Sequence, residues 1–229
     1  MKVYQIRIKV YMLRDVKCED ILTKTAHFID STLSTDTLFS GLHTANKYKN
    51  YTYDMLYKAE ADRSYKEGGI YHLTIRTIDS NLAKFFYETL SNSYTEDFKG
   101  LTADVKIIPN RVIDQIYSLT PIIIKGDTYW RSCMTVDEYE ERLKINLIKK
   151  YNRFHNIQID ENFQLFSHIE FSNKVPIAVK YKNIKLLGDK CCMHVENNPQ
   201  AQELVYMALG TGIGENNARG AGFINYKWI

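Results

Sequence analysis

The chain opens on strict alternation. Over residues 2–11, Tyr4, Ile6, Ile8 and Val10 fall on one side while Gln5, Arg7 and Lys9 fall on the other, which predicts a half-buried strand. The period then lengthens. Over residues 18–33, Leu22, Ala26, Ile29 and Leu33 share one face at helical spacing. A polar, irregular stretch around 35–50 separates this helix from short strands near 51–58 and 69–78. In the second of these, Tyr71, Leu73 and Ile75 alternate with His72, Thr74 and Arg76. A helix fits 80–92, with Asp79 or Ser80 as its cap, and a strand fits 102–109. The order strand, helix, strand, strand, helix, strand is the ferredoxin-like arrangement.

After residues 110–118 the same order returns. Pro121 to Lys125 reads as a short apolar strand. Thr135 opens a helix to about Tyr151, with Glu138 three residues on and Leu143, Leu147 and Ile148 inward. Two or three strands fit between 161 and 196. Asn198-Pro199 starts a helix to about Leu209, and 220–228 closes as a strand. The prediction is an α+β chain of two tandem ferredoxin-like βαββαβ domains, residues 1–117 and 118–229.

Composition narrows the class. Length 229 suits two small domains, and four prolines with no Gly/Ser linker imply that they pack closely. The N-terminus lacks a signal peptide's continuous apolar core, and no run nears the roughly 18 apolar residues of a membrane span. A cytoplasmic protein with no membrane association is expected. Cys18, Cys133, Cys191 and Cys192 offer no C-x-x-C spacing, so reduced thiols are expected and structural zinc is not. Net charge is only +3, so clustering matters more than total. Lys47, Lys49 and Lys58 lie among Tyr48, Tyr51, Tyr53 and Tyr57, a mixture that suits base stacking and phosphate pairing. A Tyr-rich half-buried strand with snorkelling lysines explains it equally well.

The strongest signal is terminal. Five glycines fall between Gly210 and Gly222. No Gly-Lys-Ser/Thr tripeptide occurs, which excludes a P-loop. A helix precedes the segment and only a short strand follows, which excludes the dinucleotide fingerprint. What remains is a helix-to-strand connection able to take positive φ repeatedly and bring backbone amides close to a ligand. Arg219 within it suits a phosphate or a base edge. The plainer alternative is a helix C′ glycine at 210 or 212 followed by a flexible loop.

Gly212-Ile-Gly214-Glu-Asn-Asn-Ala-Arg219-Gly220-Ala-Gly222 resembles the loop that ends the repeat-processing endoribonucleases of CRISPR systems, within the RAMP superfamily. The resemblance extends over the whole chain. It implies attack of a 2′-hydroxyl on the adjacent phosphate, with 2′,3′-cyclic phosphate and 5′-hydroxyl products and no metal or other cofactor. It also implies CRISPR repeat RNA as partner, contact with other CRISPR effector subunits, and a monomer or homodimer. Gly212, Gly214, Arg219, Gly220, Gly222 and Lys47 are then the candidate RNA-binding residues.

Such chemistry needs a base, an acid and a cation beside the phosphate. His43 sits in a polar loop with Lys47, Tyr48 and Lys49 close behind it. The resemblance implies a catalytic histidine after the first helix and a lysine six residues on, which selects His43 and Lys49. Some relatives carry a tyrosine in the first helix where this chain has Phe28, which cannot transfer a proton; neighbouring His27 is the candidate substitute. His155, His168 and His194 have no local partners. Two other readings stand beside the nuclease: a non-catalytic RAMP-type subunit that holds guide RNA, and a generic RRM module. The aromatic signature of the RRM is absent.

Overall fold

The computed structural model describes residues 1–42, 47–181 and 184–229. The first half runs β1 (Val3–Met12), β2 (Val16–Lys17), α1 (Cys18–Leu33), β3 (Tyr51–Tyr53), β4 (Ser64–Tyr65), β5 (Ile70–Thr77), α2 (Ser80–Thr89) and β6 (Phe98–Ile108). The second runs β7 (Ile113–Ser118), α3 (Val136–His155), β8 (Phe166–Phe171), β9 (Ile177–Tyr181), β10 (Ile184–Gly188), β11 (Cys191–Val195), α4 (Pro199–Thr211) and β12 (Ile224–Trp228).

Local chemistry sets the helix starts. Asp79 caps α2 by accepting from the amides of Asn81 and Leu82. Thr135 and Glu138 form a reciprocal capping box on α3. Asn198 accepts from the Ala201 amide, and Pro199 occupies the first turn of α4.

The strands build two four-stranded antiparallel sheets, β3-β5-β1-β6 and β12-β7-β11-β8. Counting the four strands of each sheet in chain order, and reading the first sheet from β6 and the second from β12, both run fourth, first, third, second, so the fold is a tandem pair of ferredoxin-like units. β1 is central in the first sheet, with Ile6 opposite Ile75 and Val105, and Ile8 opposite Leu73 and Ala103.

Two predicted elements are corrected. The second half opens with Ile113–Ser118, not Pro121–Lys125. Ile113 and Ile116 are buried where β7 pairs with β11 and β12, whereas Ile122 and Ile123 form only isolated bridges, to Asp189 and Glu215. Among the described residues between 161 and 196 there are four strands, not two or three. The extra pair, β9 and β10, forms a separate two-stranded antiparallel sheet and packs on α1, with Val179 in the first core and Lys180 Nζ 2.7 Å from Asp20 Oδ1.

The halves interlock. Val3 and Ile78 belong to the second half's core, while Ile123, Val179 and Ala221 belong to the first half's. Arg76 is buried at the join. It donates to Gln5 Oε1 (2.9 Å), the Ile224 carbonyl (2.7 Å) and Asn225 Oδ1 (3.1 Å), and lies over the Phe223 ring. Burial lowers its pKa to about 10. Among the described residues, no helix is long and apolar enough to cross a membrane.

Candidate active site

A cleft of about 630 Å³ opens where the halves meet. α1 contributes Asp30, residues 47–50 lead into Tyr51 of β3, and α3 contributes Asn146, Lys150 and Arg153; the loop after α4 adds residues 214–219. Its cations are Lys47, Lys49, Lys125, Lys150, Arg153 and Arg219, against the carboxylates Asp30 and Glu215. Both carboxylates are engaged. Asp30 pairs with Arg219, while Glu215 accepts from the Lys125 amide and faces Arg142 at 3.7 Å. The field inside is therefore positive, which favours a polyanion.

The glycine-rich loop closes one wall, and its own backbone explains the spacing. α4 ends at Gly212 (φ 75°), whose amide donates to the Ala208 carbonyl. The Ile213 amide then donates to the Gly222 carbonyl, and a Cβ on Gly222 would lie 1.9 Å from the Ile213 carbonyl oxygen, so only glycine fits. Gly220 (φ 83°) packs on the first half: a Cβ there would meet Leu22 at 2.6 Å and Tyr53 at 2.8 Å. Asn217 Nδ2 ties the turn by donating to the Ile213 and Ala221 carbonyls, 3.0 Å each.

Lys150 anchors the loop from beneath. Its buried ammonium donates to the Gly212 carbonyl (2.8 Å), the Gly214 carbonyl (2.9 Å) and Asn217 Oδ1 (2.7 Å). Burial pulls its pKa down to about 7, partly opposed by Glu215. Opposite, burial and the neighbouring Arg219 hold the Lys49 ammonium below its ordinary range, partly opposed by Asp30. Lys49 donates to the Leu42 carbonyl.

The candidates named from sequence do not fall in one place. Lys47, Lys49, Gly214 and Arg219 line the cleft. Gly212, Gly214, Gly220 and Gly222 are all buried, with the amides of Gly212, Gly220 and Gly222 engaged by the Ala208, Asn217 and Pro121 carbonyls. The loop therefore meets the cleft mainly through residues 215–219. His27 is exposed on α1, one turn before Asp30, and is not among the described lining residues. Phe28 is fully buried against Phe98, so that helix position faces the core. His43 lies outside the described residues. Sequence reading missed Asp30, Arg153 and Lys150. Lys150 alone carried a signal, because it falls seven residues after Leu143 and three after Leu147, on the inward stripe of α3. Among the described residues, no three His, Cys, Asp or Glu side chains gather as a metal site.

The chain is thus a doubled ferredoxin-like protein closed by a glycine-rich loop. The family model described as "CRISPR associated protein Cas6, C-terminal" matches residues 108–226, just over half the chain. The chain belongs to the Cas6 family. It is 20% identical over 240 residues to the CRISPR-associated endoribonuclease Cas6 2 of Methanocaldococcus jannaschii, covering 96% of this chain and 98% of that one. Two solved structures share the fold at a TM-score of 0.74. A CRISPR associated protein Cas6 is 19% identical, and a RAMP protein described as binding different RNA substrates is 15% identical; each match covers 98% of this chain and 99% of the other.

Proposed function

We propose that this chain is an endoribonuclease that cuts CRISPR repeat RNA in the cleft between its halves. The 2′-hydroxyl beside the scissile phosphate attacks phosphorus and the 5′-oxygen leaves, giving a 2′,3′-cyclic phosphate and a 5′-hydroxyl. The observation that carries the reading is the surplus of cations in a cleft whose two carboxylates are already engaged.

The side chains at hand are proton carriers and cations, and the reaction needs no metal. His43 exchanges protons with the attacking or leaving oxygen, as imidazole does near neutral pH. What supports its choice is the position of Lys47 and Lys49 at the cleft wall a few residues later. Lys49, made easier to deprotonate by its surroundings, stabilises charge on the phosphorane. His27 is the alternative proton carrier. Lys47, Arg219 and the loop contact the RNA, and the protein acts in the cytoplasm.

The test is incubation of end-labelled repeat RNA with the protein in EDTA. One cut, with a cyclic phosphate on the upstream fragment by mass spectrometry, is expected. Binding without cutting overturns the enzymatic reading in favour of an RNA-holding subunit. Cleavage abolished by EDTA, with the RNA fold controlled, overturns the mechanism.

A further inference from the structure

Beside the cleft lies a smaller hollow of about 280 Å³. The two share residues 47–50 and Arg153, yet differ in chemistry. The cleft is charged. The hollow adds apolar side chains, among them Phe39, Leu42 and Phe154, to the polar residues that it shares with the cleft. Phe39 packs on Phe85 with ring centroids 5.0 Å apart and is held by the first core, whereas Phe154 is held by the second. The hollow therefore straddles both halves, as the cleft does. Leu38, which also lines it, is 84% exposed, an apolar side chain left open to water beside a recess of mixed lining.

The charged groups on the rim point to a ligand of mixed character. The carboxylate of Asp79 is already engaged as the cap of α2. Lys47 and Arg153 are cations, and Tyr48 adds a ring beside them. Guanidinium and aromatic planes stack on flat π systems, and the same cations pair with phosphate. The volume is at the small end of ligand sites, below the roughly 300–1,000 Å³ of pockets for drug-sized molecules.

We propose that the hollow receives one unpaired nucleobase of the RNA, turned in from phosphates that run across Lys47 and Arg153. This rests on the RNA-cleaving reading of the cleft. The base stacks among Phe39, Tyr48 and Phe154, so the site selects for an unpaired nucleotide next to the cut.

The test uses repeat RNAs that each carry one abasic position, with affinity from fluorescence anisotropy and cleavage from single-turnover assays. One abasic position beside the cut is expected to weaken wild-type binding by about 5- to 150-fold, the range of base–aromatic stacking. Phe154→Leu keeps the apolar fill but removes the ring, so the abasic penalty at that position shrinks. Tyr48→Ala serves as the second variant if Phe154→Leu melts early. Equal abasic penalties in wild type and variants, or no sensitive position, overturn the pocket. Cleavage without abasic sensitivity sinks the pocket alone. Abasic-sensitive binding without cleavage sinks the nuclease reading alone.

Discussion

Arg219 on the glycine-rich loop is ion-paired with Asp30 on α1, 189 residues away in the chain. Burial works against the guanidinium's charge, but the Asp30 carboxylate outweighs it and raises the Arg219 pKa. The pair pins the loop to α1 and cancels one positive charge inside the cleft. Asp30→Asn releases that charge toward RNA phosphates, so affinity rises and the salt slope of binding steepens by about 0.7, as for one more contact on a single strand. Arg219→Ala leaves Asp30 unpaired in the cleft, and the slope becomes shallower. Salt-titrated affinities for repeat RNA decide it; equal slopes in all three proteins refute this role.

Gly220→Val tests what the glycines do. Its Cβ would meet Leu22 and Tyr53, the site needs φ of 83°, and the residue is buried. Backbone strain and overpacking cost about 1–3 kcal/mol each. A fall of several degrees in the thermal midpoint is expected, at about 2–4 °C per kcal/mol for a chain of this size. An unchanged midpoint with weakened RNA binding would return Gly220 to direct RNA contact.

The elements that were legible are those set by local chemistry. The Leu22, Ala26, Ile29 and Leu33 stripe defines α1, and Asp79, the Thr135–Glu138 box and Asn198-Pro199 mark three helix starts. Pairing partners were not legible. Pro121-Ile-Ile-Ile looks more strand-like than residues 113–118, yet only tertiary context decides which run finds neighbours. The site divides in the same way. The glycine spacing was visible, but that Gly220 and Gly222 answer to Tyr53 and Ile213 is a matter of three-dimensional approach. Lys150 is easily passed over beside Lys149, and only its spacing from Leu143 and Leu147 places it on the inward stripe of α3.

Catalysis separates the histidines. His43→Ala is expected to slow repeat cleavage by roughly 10²–10⁴-fold, the usual worth of a general acid or base, with RNA affinity retained. His27, exposed on α1, is expected to matter less. Single-turnover rates measure both. A wild-type rate in His43→Ala together with a large loss in His27→Ala transfers the role.

Lys150 makes the loop's anchoring depend on pH in a definite direction. Its folded pKa of about 7 lies below its ordinary 10.5, so in that window the unfolded chain holds a proton that the folded chain has shed. Stability from this group therefore rises as pH climbs from about 7 toward 10. Lys150→Met has no proton to shed and leaves the Gly214 carbonyl and Asn217 Oδ1 without this donor, while the Gly212 carbonyl keeps only the Thr211 hydroxyl at 3.3 Å. Each buried polar group left unpaired costs about 1–3 kcal/mol, so the variant is less stable throughout. The gap to wild type must also widen with pH, because only wild type gains from deprotonation. Guanidinium unfolding of both proteins at several pH values reads this directly. Parallel stability profiles would mean that the ammonium titrates outside the window and that Lys150 acts as a fixed charge.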